Sequence, residues 1–317
     1  MAGRKKSLIP DEAVLLLDGG TGTELQKRGV PMSTQSWCGP VPPEHLPALE
    51  AVHGDYIAAG ADIITANTYS TSRLLLDLDG MGEAFEQINR SAVRAAMEAR
   101  HNSGRKDVLV AGSLSHRGPI AQGTARPDSS VATSQKRMAS ALRELAGLLR
   151  EEGCDLILLE MLYDPERIPV VLEVAERSGL PIWAGFSARR ADNGRVLSFD
   201  PAREIPFEEI VSLLGSHEIA AAGIMHTPSD LVSDALRVLK SVFDGPLLAY
   251  PDSGYFRSPR WQFEDVISPE DLRLFAEEWI AQRVQVVGGC CGLGPEHIAE
   301  LAPLRRLGEL TPAPQVP

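Results

Sequence analysis

Val284-Gln285-Val286-Val287-Gly288-Gly289-Cys290-Cys291-Gly292 is a valine-rich apolar run that stops at two glycines, two adjacent cysteines and a third glycine. The run reads as a buried strand whose chemistry sits where the strand ends. Adjacent side chains of a regular strand point to opposite faces, so neighbouring thiols converge on one atom only where the backbone leaves strand geometry. The flanking glycines permit that departure. Two thiolates at such a point are good zinc ligands, and a site with three protein ligands keeps a fourth position for substrate. A buried thiol pair behaving as small apolar side chains, or a strained vicinal disulfide, fits the same string.

An apolar run closing on a chemically able side chain recurs upstream along the whole chain. Val14-Leu15-Leu16-Leu17 runs into Asp18-Gly19-Gly20-Thr21-Gly22-Thr23, and the segments 61–69, 108–113 and 155–160 carry Asn67, Ser113 and Glu160 at their ends. Segments 181–187 and 220–226 end in Ser187 and His226, and the run 246–250 closes on Asp252. Between these strands, helical spacing is read over 44–60, 83–100, 168–177 and 207–214, and through the stripe Leu142, Leu145, Ala146 and Leu149. Ser229 is read as the N-cap of a helix to about residue 243; further helices carry Leu272, Phe275 and Trp279, and start near Pro295. Strands and helices alternating in this way predict an α/β fold, a (β/α)8 TIM barrel. An open doubly wound sheet alternates too, but only a closed barrel gathers all the strand ends around one mouth. The polar segments 116–133 and 188–206 are long for plain connections, as functional loops are.

The chain has 317 residues, enough for one barrel domain over 13–308, with an N-terminal arm over 1–12 and a flexible proline-rich tail over 309–317. Its 44% hydrophobic and 23% charged residues match an ordinary globular composition. A formal net charge of −12 argues against general binding to nucleic acid or an anionic membrane. The four cysteines, Cys38, Cys154, Cys290 and Cys291, are too few for a disulfide framework, so a reducing cytoplasm is expected. Arg4-Lys5-Lys6 is not followed by a signal-peptide core and reads as a solvated arm; no run reaches the roughly 18 apolar residues of a membrane span.

With these motifs placed, the chain resembles the homocysteine S-methyltransferase family, zinc-dependent barrel enzymes that move a methyl group onto the homocysteine thiol. The likeness spans about residues 13 to 303 and rests on four segments taken together. These are Leu17-Asp18-Gly19-Gly20-Thr21-Gly22-Thr23-Glu24-Leu25, the stretch 60–69, Tyr250-Pro251-Asp252-Ser253-Gly254, and Gly288-Gly289-Cys290-Cys291-Gly292 running into Pro295-Glu296-His297-Ile298.

The resemblance implies zinc bound by three cysteines, the first from an asparagine-cysteine pair ending the sixth strand. Here that place holds Met225-His226, and no cysteine lies between Cys154 and Cys290. Three readings of His226 stand. It replaces the missing cysteine as a ligand, since two cysteines and one histidine form a known catalytic set; zinc affinity is lost and the activity differs; or His226 merely fills the mouth. As a ligand it lowers the negative charge of the centre by one unit and makes a bound thiolate a weaker nucleophile. By the same likeness Asp18 and Gly19 hold the amino-acid part of homocysteine, and Glu160 pairs with its ammonium group. Physics agrees, because an α-amino acid needs an acceptor for its ammonium and amides for its carboxylate. A turn-forming role for Asp18 is the plainer alternative. Asn67, Trp37 and Tyr69 are expected at the substrate pocket, with aromatic faces able to hold a sulfonium by cation–π attraction. Asp252, expected at the same substrate pocket, stands where the family has asparagine and adds negative charge near the mouth that favours a cationic donor. The expected cofactor is Zn2+ and the expected partners are a small-molecule thiol acceptor and a methyl donor, S-methylmethionine or S-adenosylmethionine. The length leaves no room for folate and corrinoid modules, nor the tail for the dimerisation arm of the betaine enzymes. A methyltransferase working with a separate corrinoid protein, and a non-catalytic homologue that binds an amino acid or metal, remain the alternatives.

Overall fold

The computed structural model describes residues 8–10, 13–126, 128, 131 and 133–305; the tail expected at 309–317 and most of the arm expected at 1–12 lie outside the described residues. Eight parallel strands form one sheet: β1 (Leu15–Leu16), β2 (Ile63–Ala66), β3 (Leu109–Ser115), β4 (Leu156–Leu162), β5 (Ile182–Phe186), β6 (Ala221–Pro228), β7 (Leu247–Asp252) and β8 (Val284–Val287). Their spatial order is β1-β8-β7-β6-β5-β4-β3-β2. The two ends meet, because Leu17 bridges Ile63, Asp18 N donates to Ile63 O at 3.0 Å and Asp62 N to Leu16 O at 2.7 Å. The sheet therefore closes, and the expected TIM barrel is the fold.

Strand sequences read as unbroken apolar runs because both faces are buried. In β4, Leu156 and Leu158 point into the barrel with Leu17, Ile63, Trp183 and Val286, while Ile157 and Leu159 point out toward the helices. Gly185 makes room in that interior, since a Cβ there would lie 2.1 Å from the Tyr250 hydroxyl. Ile9, just ahead of the barrel, is 2% exposed and packs among the same interior residues, so the arm is not wholly solvated.

The helices follow the expected spacing, with additions. A short helix, Thr21–Lys27, begins inside the loop expected at 18–23, and another, Arg73–Leu78, lies in a stretch given no expectation. The segment 188–206 is not featureless: Ala188–Arg190 and Val196–Ser198 pair as an antiparallel hairpin. A second hairpin, Tyr255–Arg257 with Arg260–Gln262, follows β7. One capping expectation is corrected. Pro228, not Ser229, is the N-cap of the helix Ser229–Leu239, and Ser229 Oγ is buried without a partner. Proline fixes φ near the value this position needs, so the strand passes into the helix without a side-chain cap. Among the described residues no helix is long and apolar enough to cross a membrane.

Candidate metal centre and substrate cavity

The loop after β8 is clamped from three sides. Gly289 N donates to Asp18 O (3.0 Å), Cys290 N to Pro251 O (2.7 Å) and Ser253 N to Cys291 O (2.9 Å). Gly292, at φ +86°, turns the chain where a Cβ would stand 1.9 Å from Ser253 O, so only glycine fits. Gly19 is under the same constraint, since its Cβ would fall 2.3 Å from Leu293 O. The Asp18 loop and the cysteine loop thus pack backbone to backbone.

His226 reaches the same point by a different irregularity. Its φ of +43° lies where the pairing of β6 with β7 slips, between Met225 and Pro228. Such a bulge re-aims a side chain that regular strand geometry would direct elsewhere. Met161, at φ +56°, marks a similar slip in β4 beside Glu160.

Cys290 Sγ lies 3.9 Å from Cys291 Sγ and 3.8 Å from His226 Nδ1, and the three ligand atoms all fall within 4.8 Å of one another. Zinc–sulfur bonds of about 2.3 Å and zinc–nitrogen bonds of about 2.0 Å place tetrahedral neighbours roughly 3.5 to 3.8 Å apart. The donor set and its spacing fit a tetrahedral cation with one position to spare. Asp252 Oδ2 stands 3.4 Å from His226 Nδ1 and does not line the cavity. The rings of Phe199 and Trp261 flank the imidazole edge-on at 5.3 and 5.7 Å. Burial opposes a charge on His226, but Asp252 and Cys290 outweigh it and raise the imidazole to about 9. The hydrogen bond from the Cys291 thiol, with help from His226, holds Cys290 well below the usual thiol range.

The cluster opens into a cavity of about 140 Å³ at the C-terminal mouth of the barrel. Asp18, 2% exposed, accepts bonds from Thr65 N (2.6 Å) and Thr65 Oγ1 (2.9 Å), and burial pushes its carboxyl up to about 7. Glu160 accepts from Ser113 Oγ, and burial, followed by the Cys290 charge, pushes it up to about 8. A cation placed beside these two carboxylates would offset the burial that resists their ionisation. Thr21 Oγ1, Trp37 Nε1 and Tyr250 Oη are buried without a protein partner, and all three residues line the cavity.

The other expected residues are placed unevenly. Gly19, Trp37, Asn67 and Tyr69 line the cavity. Asn67 is already engaged, since its Nδ2 donates to Cys38 O (2.8 Å) and its Oδ1 accepts from the Cys38 thiol (3.5 Å). It braces the turn that carries Trp37, whose φ is +51°. The Tyr69 hydroxyl donates to Met161 Sδ at 2.8 Å. Arg117, Tyr163, Phe199, Phe256 and Trp261 also line the cavity and were not singled out from the sequence. Their signal was indirect, because they lie in or beside the long polar loops and the hairpin after β7. Those segments meet over the mouth: Gly123 N donates to Ser258 O (3.1 Å) and Ser258 N to Thr124 O (3.0 Å).

The family model described as homocysteine S-methyltransferase matches residues 15–304. Homocysteine S-methyltransferase YbgG of Bacillus subtilis is 26% identical over 301 residues, covering 91% of this chain and 93% of the relative. Selenocysteine Se-methyltransferase of Brassica oleracea is 26% identical over 304 residues, covering 89% and 86%. Among solved structures, the metallated form of the homocysteine methyltransferase MmuM from Escherichia coli is similar at a TM-score of 0.70 and 25% identity, covering 92% of this chain and 96% of that one.

Proposed function

The chain belongs to the homocysteine S-methyltransferase family, and from that membership we propose that it moves a methyl group from a sulfonium donor, S-methylmethionine or S-adenosylmethionine, to the thiol of homocysteine or a close analogue. On this reading His226, Cys290 and Cys291 hold zinc. The observation that carries the proposal is the convergence of their three ligand atoms within 4.8 Å, in a cavity that is also lined by the carboxylates of Asp18 and Glu160.

Zinc in this set supplies a Lewis acid that lowers the pKa of the acceptor thiol toward neutrality. Asp18 and Glu160 bind the acceptor ammonium, whose positive charge offsets the burial that raises them to about 7 and 8. Held at both ends, the acceptor presents its sulfur in one direction, and proximity supplies part of the rate. In the transfer, the acceptor sulfur pair forms the new carbon–sulfur bond. The electron pair of the broken bond stays on the donor sulfur, which leaves as a neutral thioether, and the thiol proton passes to solvent. Asp252, 3.4 Å from His226 Nδ1, returns near the cluster the unit of negative charge that histidine lacks beside a cysteine thiolate.

The loop and hairpin joined over the mouth favour a small diffusible donor over a docked corrinoid protein, which would have to reach the cavity past them. A selenol is a chemically reasonable second acceptor, in keeping with the name of the Brassica relative. The test is metal analysis of protein purified without added zinc, followed by methyl transfer to homocysteine and selenocysteine from each donor. We expect about one zinc per chain, lost in Cys290→Ser. A full metal site with no transfer from any sulfonium donor refutes the assignment.

A further inference from the structure

Arg117 is the second residue past β3 and reaches the cavity wall. One guanidinium nitrogen, Nη1, donates to Gln35 O at 2.7 Å, and the group lies 5.9 Å from the centre of the Tyr69 ring. Among the described residues no carboxylate forms an ion pair with it, although Arg167 and Arg203 pair with Asp164 at 3.6 and 3.4 Å. A guanidinium offers five donors in a planar fork, and one bond to a carbonyl leaves most of them free. Partly burying that charge without a counter-ion is unfavourable unless a ligand supplies one.

The barrel topology says which ligand. Cys290 and Cys291 follow β8 and His226 lies in β6, so the metal cluster occupies the β6-β7-β8 side of the ring. Tyr69, Arg117 and Tyr163 follow β2, β3 and β4, which are consecutive on the other side. Glu160 lies within β4, two residues before its end, whereas Tyr69, Arg117 and Tyr163 lie beyond the ends of their strands, so an acceptor with its sulfur at the cluster and its ammonium at Asp18 and Glu160 leaves the outer rim of the β2-β3-β4 wall to the second substrate. In-line displacement aligns acceptor sulfur, methyl carbon and donor sulfur, and with the cluster occupying one side of the acceptor sulfur the donor comes to it from the open cavity. The wall it then meets carries two tyrosines and one unpaired guanidinium.

We propose that Arg117 forms a carboxylate-binding subsite for the methyl donor, selecting α-amino-acid sulfonium compounds over sulfonium ions that lack a carboxylate. The inference rests on the methyl-transfer reading above. The fork of Arg117 pairs bidentately with the donor carboxylate, and the length of the amino-acid chain sets the reach of the methyl group toward the acceptor sulfur. A point charge on a flexible stem does this less well, so lysine restores only part of the effect.

The test uses the full chain with its metal, and compares wild type, Arg117→Met and Arg117→Lys. Donors are S-methylmethionine and trimethylsulfonium, and acceptors are homocysteine and 3-aminopropane-1-thiol, which lacks the carboxylate. In Arg117→Met, KM for S-methylmethionine rises about 10- to 100-fold, the loss of charge-assisted hydrogen bonds. Its kcat, its KM for homocysteine and its rate with trimethylsulfonium change less than about twofold, and Arg117→Lys is intermediate. A selective rise in KM for homocysteine, absent with 3-aminopropane-1-thiol, assigns Arg117 to the acceptor and overturns the proposal. Equal effects on both donors overturn it as well. Calorimetric titration with S-methylmethionine separates this inference from the reaction: if wild type transfers no methyl group yet binds the compound and Arg117→Met does not, the subsite stands and the activity falls. Unchanged unfolding temperatures show that the variants are folded.

Discussion

Gly292→Ala is the sharpest probe of how the proposed metal centre is built. A Cβ at Gly292 would lie 1.9 Å from Ser253 O, and real Cβ contacts are essentially never under 3.0 Å, so the carbonyl must retreat by at least about 1 Å. That carbonyl accepts from Trp261 Nε1 (3.0 Å), and Ser253 N donates to Cys291 O (2.9 Å). Two buried hydrogen bonds at about 1 kcal/mol each, plus about 1 to 2 kcal/mol for a side chain at φ +86°, give a loss of about 3 to 4 kcal/mol in stability. Metal sites tolerate displacements of only about 0.2 Å, so zinc affinity should fall by at least about 100-fold. Competition for zinc with a chromophoric chelator, beside urea unfolding, reads both effects. Gly54→Ala is the control: a Cβ added there meets nothing within 4 Å, and a helix-interior alanine should add about 1 kcal/mol without touching zinc. If Gly292→Ala holds zinc as wild type does and unfolds at the same urea concentration, the account of a backbone-locked cysteine loop is wrong.

Three further outcomes are expected. Asp252→Asn keeps the shape beside His226 but removes the charge 3.4 Å from Nδ1, and should weaken zinc binding about 10- to 100-fold in the same competition; unchanged affinity would exclude Asp252 as the residue supporting His226. Glu160→Gln should raise KM for homocysteine about 10-fold or more while leaving zinc content intact, measured by steady-state kinetics and metal analysis. His53 is fully buried, neither ring nitrogen has a partner, and burial lowers it from 6.5 to about 4. Because its folded pKa is depressed, the unfolded chain takes up the proton first, and stability falls as pH drops from 6.5 toward 4. Wild type should therefore lose about 2 kcal/mol more than His53→Leu between pH 7 and pH 5, and equal losses in urea unfolding would show that His53 does not carry this acid sensitivity.

The barrel was legible because its strands are buried on both faces and end in polar residues, so apolar runs such as 155–160 announce both a strand and its Glu160. The cluster was legible at Cys290 and Cys291 for the same reason. His226 was readable as a residue but not as a direction, since the bulge that aims it comes from the slip of β6 against β7. Asp252 was expected at the substrate pocket, yet it does not line the cavity and stands beside the same His226 Nδ1 that faces Cys290, a distinction that only strand register decides. The hairpins near Phe199 and Trp261 have three-residue strands, too short to show a period. Arg117 gave no local sign, because what marks it is a missing counter-ion, and that is a property of the folded chain.

The pairing of residues 123 and 124 with Ser258 joins main chain to main chain, so it is invisible as a motif and is not removed by changing any one side chain. Its consequence is kinetic. Two such bonds, net about 2 kcal/mol, keep the span fastened in all but about one molecule in thirty. A ligand whose passage required that minority state would arrive and depart correspondingly slowly. A turnover number limited by that unfastening falls as solvent viscosity rises, and one that does not respond to viscosity places the limit at the carbon–sulfur bond instead.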